Sequence, residues 1–520
     1  MSQRRPSLPS NDRLAAGLDW LGAALTRRVT VDTRALAVFR IALGLLLFAD
    51  LALRARNLEA FYTDAGVLPR AALFADYGTV FSLHAISGEP WAIGLLFAVA
   101  AAVAVALLVG YHTRLATIVS WLLLLSLQFR NPMVLNGGDV LFSMLLFWGM
   151  FLPLGERWAL DAPRQRQARA TVATIGTMAL LCQVTAMYIT NAFHKTEGEL
   201  WLNGEAVVYV FSLDYQFTIL LGNVLADYHS LLSAMTYVWI TLVICAPLLL
   251  LLTGTPRALL ASAFVGMHLG MLLTMRIGLF PLIVVAAFLP FYPPAVWDRA
   301  TALAARVGLA APLRHWGERL AAAVPTGPTL AVRRTGGSAL RKRLAAGLAY
   351  GRTLFTTALP ALFLVLMVLS NAQAVGYTQV PEPGDEVLEA TQTTQSWRMF
   401  APEPRQVDGW YVVPGTLANG SEVDALYGSE VSWEPPPSGN AVYPTARWRK
   451  YLSNVRYADN ENHRSYLSHY LCERWNRTHD TELEELELYY VRQPSQPYNE
   501  TEPTSEIMFQ QYDCGGEFVQ

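Results

Sequence analysis

Charged residues are scarce in this chain. Asp, Glu, Lys and Arg make up 15% of its 520 residues, whereas an average soluble protein contains about 25%. Hydrophobic residues make up 53%, and the mean hydropathy is +0.28. These values exclude an ordinary soluble protein.

Cysteine is rare as well, with four in the chain. Because no Cys-x-x-Cys or His-rich pattern occurs, no protein-bound metal is expected. Cys182 and Cys245 lie in apolar runs and are predicted to be small buried hydrophobic residues. Cys472 and Cys514 lie in a polar C-terminal region, and we predict a disulfide between them if that region faces an oxidising compartment.

The sequence predicts neither a cleavable signal peptide nor a nucleic-acid partner. The N-terminal stretch MSQRRPSLPSNDR is polar and has no adjacent apolar core, so a cleavable signal peptide is not expected. A nucleic-acid partner is not expected either. Membrane lipid is the partner that the composition indicates.

Apolar runs of membrane-spanning length recur through most of the chain. A helix needs about 20 apolar residues to cross a bilayer, and nine runs approach that length. They predict a polytopic α-helical membrane bundle of about nine spans, with a C-terminal extramembrane α+β domain. The predicted spans are Ala35–Leu53, Trp91–Gly110, Leu115–Leu127, Val140–Leu154, Thr171–Phe193, Leu231–Leu252, Ala258–Met275, Ile277–Val296 and Leu354–Ala374.

Arginine and lysine are concentrated in a few intervals outside the predicted spans. If there are nine spans, all of these intervals lie on the same side of the membrane. The positive-inside rule predicts that this side is the cytoplasm. The chain is therefore predicted to be a multi-pass protein of the cell membrane. Its predicted domains are a cytoplasmic arm (1–30), a transmembrane domain (31–297), a basic cytoplasmic loop (298–352), a last transmembrane helix (353–375) and an extracytoplasmic α+β domain (376–520).

The region from residue 376 onward differs from the rest in composition. It contains 23 acidic and 10 basic residues, which most simply indicates a solvated surface and alternatively a site for a basic partner. Asn419, Asn476 and Asn499 each begin an Asn-x-Ser/Thr triplet. The predicted strands are Gly409–Val413, Glu422–Leu426, Leu486–Arg492 and Glu506–Tyr512, and the predicted helices are Ala446–Leu452 and His463–Trp475.

The fifth predicted span carries a polar stripe. Thr177, Tyr188, Asn191 and Lys195 recur at helical spacing and fall on nearly one face. An ammonium group on such a helix is costly unless it has a partner or a function. Alternatively, Lys195 extends to the lipid headgroups as an ordinary helix-end anchor.

Several motifs occur in an order that resembles a known family. They are FYTDAGVLPR (61–70), RNPMVLNGGDVLF (130–142), FWGMFLPLG (147–155), the Lys195–Trp201–Gly204 stretch, His268 with Ile277–Phe280 after it, and WRMFAP (397–402). In these motifs the chain resembles the horizontally transferred transmembrane domain, which is related to vitamin K-dependent γ-glutamyl carboxylase.

The resemblance implies a membrane enzyme that uses a reduced quinone of the vitamin K or menaquinone type. In the carboxylase, a lysine acts as general base toward the quinol, the resulting anion reacts with oxygen, and a peptide glutamate loses its γ-proton and captures carbon dioxide. A protein or peptide substrate at the outer face is thus expected. By this resemblance the catalytic candidates are Lys195, His194 and His268, and the cofactor-binding candidates are Tyr188, Asn191, Trp201 and Arg276.

The chain departs from the carboxylase pattern at two places. Thr196 stands where the second of two adjacent lysines is taken as catalytic, and Gly138 with Asp139 stands where the carboxylase has a histidine. Asp139 is a possible partner for Lys195. Three functions therefore remain open: a carboxylase-type enzyme, a quinone-binding oxidoreductase without carboxylation, and a non-enzymatic membrane anchor whose acidic domain binds a partner.

Overall fold

The computed structural model describes residues 11–516 apart from 79–80, 163–168, 310, 313–314, 316, 318, 320–321, 323–337, 438 and 499–502. Part of the predicted cytoplasmic arm, part of the predicted basic loop and Asn499 thus lie outside the described residues.

Helices dominate the first three quarters of the chain. The first eleven are α1 (Asn11–Val29), α2 (Thr33–Ala55), α3 (Leu58–Tyr62), α4 (Arg70–Tyr77), α5 (Pro90–Val109), α6 (Thr113–Arg130), α7 (Gly137–Gly149), α8 (Ile175–Thr196), α9 (Glu199–Leu202), α10 (Ala206–Phe211) and α11 (Leu221–Leu225). They are followed by α12 (His229–Ile244), α13 (Leu248–Leu251), α14 (Gly254–Thr274), α15 (Phe280–Phe288), α16 (Pro294–Arg306), α17 (Ser338–Thr353) and α18 (Leu359–Ala374).

Five helices in the described part of the chain are long and apolar enough to cross a membrane, or six if one bent pair counts as a span. The predicted number of about nine is therefore not confirmed. Two of the predicted spans, α7 and α12, form apolar helices shorter than 18 residues. The predicted span Ile277–Val296 is instead α15 and α16, which are bent by 109° where Pro290, Pro293 and Pro294 interrupt the helical hydrogen bonds. The five long helices are α2, α5, α8, α14 and Ala346–Ala374, which joins part of α17 to α18.

The start of α8 is set by a small strand pair. Strand β1 (Val31–Asp32) pairs antiparallel with β2 (Thr171–Val172), so the first residues of the predicted fifth span are extended. Thr174 then caps α8, because its hydroxyl oxygen accepts from the backbone N–H of Thr177. The same strand pair fixes the start of α2 beside the start of α8.

The polar stripe of α8 faces protein. Thr177, Tyr188, Asn191 and Lys195 are each no more than 2% exposed. Protein neighbours can give these polar groups hydrogen-bond partners, which lipid could not supply. Helix α8 packs against α7, α12 and α18 in the largest hydrophobic core of the molecule.

The C-terminal region forms a five-stranded antiparallel sheet with helices beside it. Strand β6 is central. Along one edge its first part pairs with β4 and its last part with β3, and along the other edge it pairs with β7. The strands are β3 (Val407–Val412), β4 (Pro414–Leu417), β5 (Glu422–Asp424), β6 (Leu483–Pro494) and β7 (Ser505–Asp513), and the helices are α19 (Glu382–Ala390), α20 (Gly439–Val442), α21 (Ala446–Arg456) and α22 (Asn462–Thr478).

The predicted strands and helices of this region are all present, and β4 was missed. The predicted disulfide is confirmed, since Cys472 on α22 is bonded to Cys514, which follows β7. Helix α21 docks the region onto the end of the bundle where α2 ends. There the Trp448 ring lies 4.8 Å from the Phe61 ring, and Asn454 Nδ2 donates to the Met133 carbonyl at 2.8 Å.

Candidate functional site

Lys195 occupies a closed niche at the end of α8. Its Nζ donates to the carbonyl oxygen of Met399 at 2.9 Å and lies 3.5 Å from that of Phe400. The same atom lies 3.3 Å from the centre of the Trp201 ring and 5.6 Å from that of Trp239. Carbonyl acceptors and aromatic faces both favour an ammonium group, so the niche provides partners for a buried cation.

The carbonyl groups come from a strap, Trp397–Ala401, that crosses the end of α8. Trp201 Nε1 donates to the Phe400 carbonyl at 2.9 Å, and Asn191 Nδ2 donates to the Trp397 and Met399 carbonyls. Trp397 and Phe400 have φ values of 46° and 54°, a left-handed conformation that costs about 1–2 kcal/mol per residue. The three side-chain donors therefore hold the strap in a shape that it would not adopt alone.

A cavity of about 400 Å³ lies on the other side of the strap. Met399, Phe400 and Ala401 line it, whereas Lys195 does not. Two of the catalytic candidates, Lys195 and His268, therefore do not share this cavity, because the strap lies between the ammonium group and the space. Tyr188, Asn191 and His268 do line the cavity.

The floor of the cavity is largely apolar and aromatic, and it contains one hydrogen-bonded pair of polar side chains. Tyr188 Oη and His268 Nε2 are 3.2 Å apart, and His268 Nδ1 lies 2.8 Å from the Phe264 carbonyl oxygen. A carbonyl can only accept, so Nδ1 carries the proton and Nε2 accepts from the Tyr188 hydroxyl. The remaining floor residues include Phe217, Trp239, Met271, Ile277 and Phe280.

The roof of the cavity is basic and comes from the C-terminal region. It consists of Arg398, Arg405, Arg449 and Lys450, with Glu403 as its one acidic member. Glu403 already accepts from the backbone N–H of Leu200 and from Gln406. The roof therefore carries an excess of positive charge.

The neighbouring positive charges contribute to lowered pKa values of two roof residues. Burial is the main cause that lowers the pKa of Arg449 to about 10; Arg405 and Arg276 act in the same direction, and Tyr443 acts against it. Burial also lowers the pKa of Lys450, as do the neighbouring Arg449 and Arg405. Arg449 lies 4.2 Å from the centre of the Phe217 ring, and its Nε has no hydrogen-bond partner within the part of the chain that the structure covers. An anionic group in the cavity would relieve this repulsion.

An ion cluster beside the cavity fixes the position of α21. Arg447 contacts Asp50 at 2.7 Å and Asp139 at 2.9 Å, while Arg54 contacts the same two carboxylates at 2.7 Å and 2.6 Å. Asp50 and Arg54 are four residues apart on α2, so their pair joins successive turns of one helix. The suggested pairing of Asp139 with Lys195 is wrong, because two arginines already occupy that carboxylate.

A second chamber of about 250 Å³ adjoins the ion cluster and shares Asn136, Gly138, Phe280 and Ala446 with the cavity. Gly138 is one of the two departures from the carboxylase pattern. A Cβ at Gly138 would lie 2.9 Å from Asn136 Oδ1 and 3.3 Å from Phe280 Cβ. The glycine thus leaves room where the two spaces meet.

The other predicted site residues contact other parts of the protein and do not line the cavity. His194 is buried, with Nδ1 3.4 Å from Glu197, and it does not line the cavity. Arg276 donates to the carbonyl groups of Gly439 and Tyr443, so it holds α20 and lines the second chamber. Thr196 is exposed and donates to the Phe193 carbonyl.

The basic roof and the part of Arg447 in the ion cluster were not predicted from the sequence. Arg447, Arg449 and Lys450 lie together on α21, a segment that was predicted to be helical without any role. The signal that the sequence offered for a role of this helix was three basic residues within four positions of an otherwise acidic region. Among the residues described, no group of three His, Cys, Asp or Glu side chains is placed to hold a metal ion.

The family model of the HTTM domain matches residues 29–297, more than half of the chain. This domain is found in vitamin K-dependent γ-glutamyl carboxylase and related proteins. The match contains the Tyr188–His268 pair and Lys195, and it ends before the strap and the basic roof. No curated protein and no solved structure matches the chain.

Proposed function

The chain belongs to the HTTM domain family, and from that premise we propose that it is a carboxylase-like integral membrane enzyme. It would use a reduced quinone, bound in the cavity, to drive proton abstraction and carboxylation of an acidic substrate at the outer face. The observation that carries the proposal is the Tyr188–His268 pair, set in the aromatic floor beneath a basic roof.

The cavity suits a reduced quinone in size and polarity. A space of about 400 Å³ is within the range of pockets that hold small organic ligands, and rings of Phe217, Trp239 and Phe280 line it. The Tyr188 hydroxyl donates to His268, so its oxygen can still accept a hydrogen bond from a ligand hydroxyl. When bound, the quinol would supply the reducing equivalents for reaction with oxygen.

Tyr188 and His268 form a path for the ligand's proton. The Tyr188 oxygen accepts a proton from a hydroxyl in the cavity while its own proton passes to His268 Nε2. The resulting imidazolium keeps its Nδ1–H on the Phe264 carbonyl oxygen, 2.8 Å away, which holds the ring in one orientation. This is general base catalysis by a histidine acting through a tyrosine.

The basic roof supports an acidic co-substrate. Arg449 and Lys450 lie next to other cations, and the one acidic roof residue is already hydrogen-bonded. A carboxylate entering from the outer side would bind to guanidinium groups through charge-assisted hydrogen bonds. Carbon dioxide as the other co-substrate follows from the family alone.

Lys195 is assigned a positioning role in this proposal. Its ammonium group holds the strap through Met399 and lies behind it, away from the cavity. The prediction that Lys195 is the general base would require the strap to move. That prediction remains, and it differs from the present proposal in what substitution of Lys195 should do.

A quinone-binding oxidoreductase without carboxylation is the second candidate. It is favoured by Thr196, which is exposed where the carboxylase lysine would stand, and by Gly138, which offers no side chain where the carboxylase has a histidine. Such an enzyme would keep the floor of the cavity and need no substrate in the roof.

One experiment separates these candidates. The purified chain in lipid vesicles is supplied with menaquinol, oxygen, labelled carbon dioxide and a glutamate-containing peptide, and both quinol oxidation and fixed label are measured. Label in the peptide supports the carboxylase. Quinol oxidation without label supports the oxidoreductase. Absence of both quinol oxidation and label would contradict both candidates and leave the non-enzymatic anchor.

A further inference from the structure

A third cavity, of about 340 Å³, lies at the end of the bundle away from the C-terminal region. The two ends are identified by α2, whose last turns hold Arg447 through Asp50. Earlier in α2, the buried Arg40 donates to the carbonyl groups of Leu154, Arg157 and Trp158. Arg40 therefore fixes the turn that forms one wall of this cavity, since Leu154 belongs to its lining.

Three arginines among the described residues line the cavity, and two of them have no carboxylate partner within those residues. Arg169 is paired with Glu156. Asp161 accepts from the backbone N–H of His112 and Thr113 and from the Thr113 hydroxyl. Arg114 and Arg352 repel each other, and within the described ranges neither makes an ion pair.

Exposed apolar surface of two helices lies close to these arginines. The buried Phe147 ring of α7 packs 5.4 Å from Trp121 on α6 and 4.7 Å from Phe363 on α18, so α6 and α18 both pack against it. Arg114 lies 5.7 Å from the centre of the Phe355 ring, which places it beside the same two helices. The outward residues of α6, of α18 and of the segment that leads into α18 are apolar and exposed, including Leu115, Leu122, Leu354 and Leu362.

We propose that this end of the bundle binds one anionic phospholipid, with its phosphate between Arg114 and Arg352 and an acyl chain along the exposed apolar side chains of α6 and α18. Guanidinium groups bind phosphate oxygens through charge-assisted, often bidentate hydrogen bonds. A lipid fits this site better than a free ion does, because the exposed apolar side chains of Leu115 and Leu354 lie next to the two arginines and can contact hydrocarbon. This site is separate from the quinol cavity and does not depend on the proposed function.

The test is native mass spectrometry of the full chain with phosphatidylglycerol or phosphatidylcholine of the same acyl chains. Replacing both cations (R114Q with R352Q) should weaken phosphatidylglycerol binding by about 30-fold, the sum of two basic side chains near an anionic lipid. Phosphatidylcholine binding should not change. The matched control is R299Q with R306Q, which removes two exposed arginines of α16 and should leave both lipids unaffected.

Two results would overturn the proposal. An equal loss of phosphatidylglycerol in the control variant would mean that only total charge matters. Displacement of the bound phosphatidylglycerol by inorganic phosphate at equal concentration would mean that the arginines form an ion site without a contribution from the exposed apolar surface. The melting temperature of each variant verifies that the chain is folded.

Discussion

Two buried polar groups on one face of α8 have opposite surroundings. Lys195 is enclosed by the strap carbonyls and the Trp201 ring, with no opening to the cavity. Tyr188, two helical turns earlier, is hydrogen-bonded to His268 and lines the cavity. The difference teaches that burial of an ionisable group in a membrane bundle does not by itself indicate catalysis. Part of its hydrogen-bonding capacity must also face a space for a ligand.

The largest expected effect is from His268→Gln. Loss of the proton acceptor should lower quinol-dependent turnover by about 100-fold or more, the usual contribution of a general base, while quinol binding changes little. The matched control is His84→Gln, which alters a buried histidine that is bonded to Ser126 and lies outside the cavity. Turnover equal to that of the unaltered chain in His268→Gln would remove the pair from the mechanism.

A smaller effect is expected from the roof of the same cavity. Arg449→Gln should raise the KM for an acidic peptide by about tenfold, since one hydrogen bond to a charged group is lost. Quinol oxidation without the peptide should be unchanged, because the floor is intact. Arg492→Gln, at an exposed position on β6, is the control of equal charge. Similar KM changes in both variants would show a general effect of charge.

The sequence predicted much of the helical framework and the buried stripe, because apolar runs and helical spacing are local properties. It did not predict the ion cluster, since Arg447 and Asp50 are 397 positions apart and nothing local relates them. The strap was recognised as a motif, but its role as a hydrogen-bond acceptor was not predicted. Every residue has a backbone carbonyl group, so the residue types do not indicate which of these groups accept from Lys195 and Trp201. The predicted number of spans was not confirmed, since prolines bend α15 and α16 and since α7 and α12 are short.

Asp408 extends the comparison to a third buried polar group and should give the smallest effect. It accepts from the backbone N–H of Tyr215 and Gly409, yet burial raises its pKa from 3.8 to about 7. Folding thus favours the protonated carboxyl. The stabilisation is complete below about pH 4 and is lost as the pH rises through about 7.

The melting temperature should consequently be lower at pH 8 than at pH 5, by about 2–4 °C. Asp408→Asn cannot ionise and should reduce this difference. The comparison uses the full chain in detergent at both pH values, with and without the substitution. An unchanged pH dependence in Asp408→Asn would assign the effect to other groups.

Quinol-dependent turnover of Lys195→Arg and Lys195→Gln, each beside His268→Gln, tests the central claim most directly. Both Lys195 variants keep donors for the strap carbonyls, but neither an arginine nor a glutamine side chain can act as a general base. We predict that at least one of them retains turnover within about threefold, a loss far smaller than general base removal causes. If both Lys195 variants are folded and inactive while His268→Gln remains active, Lys195 is the base and the assignment to Tyr188 and His268 is wrong.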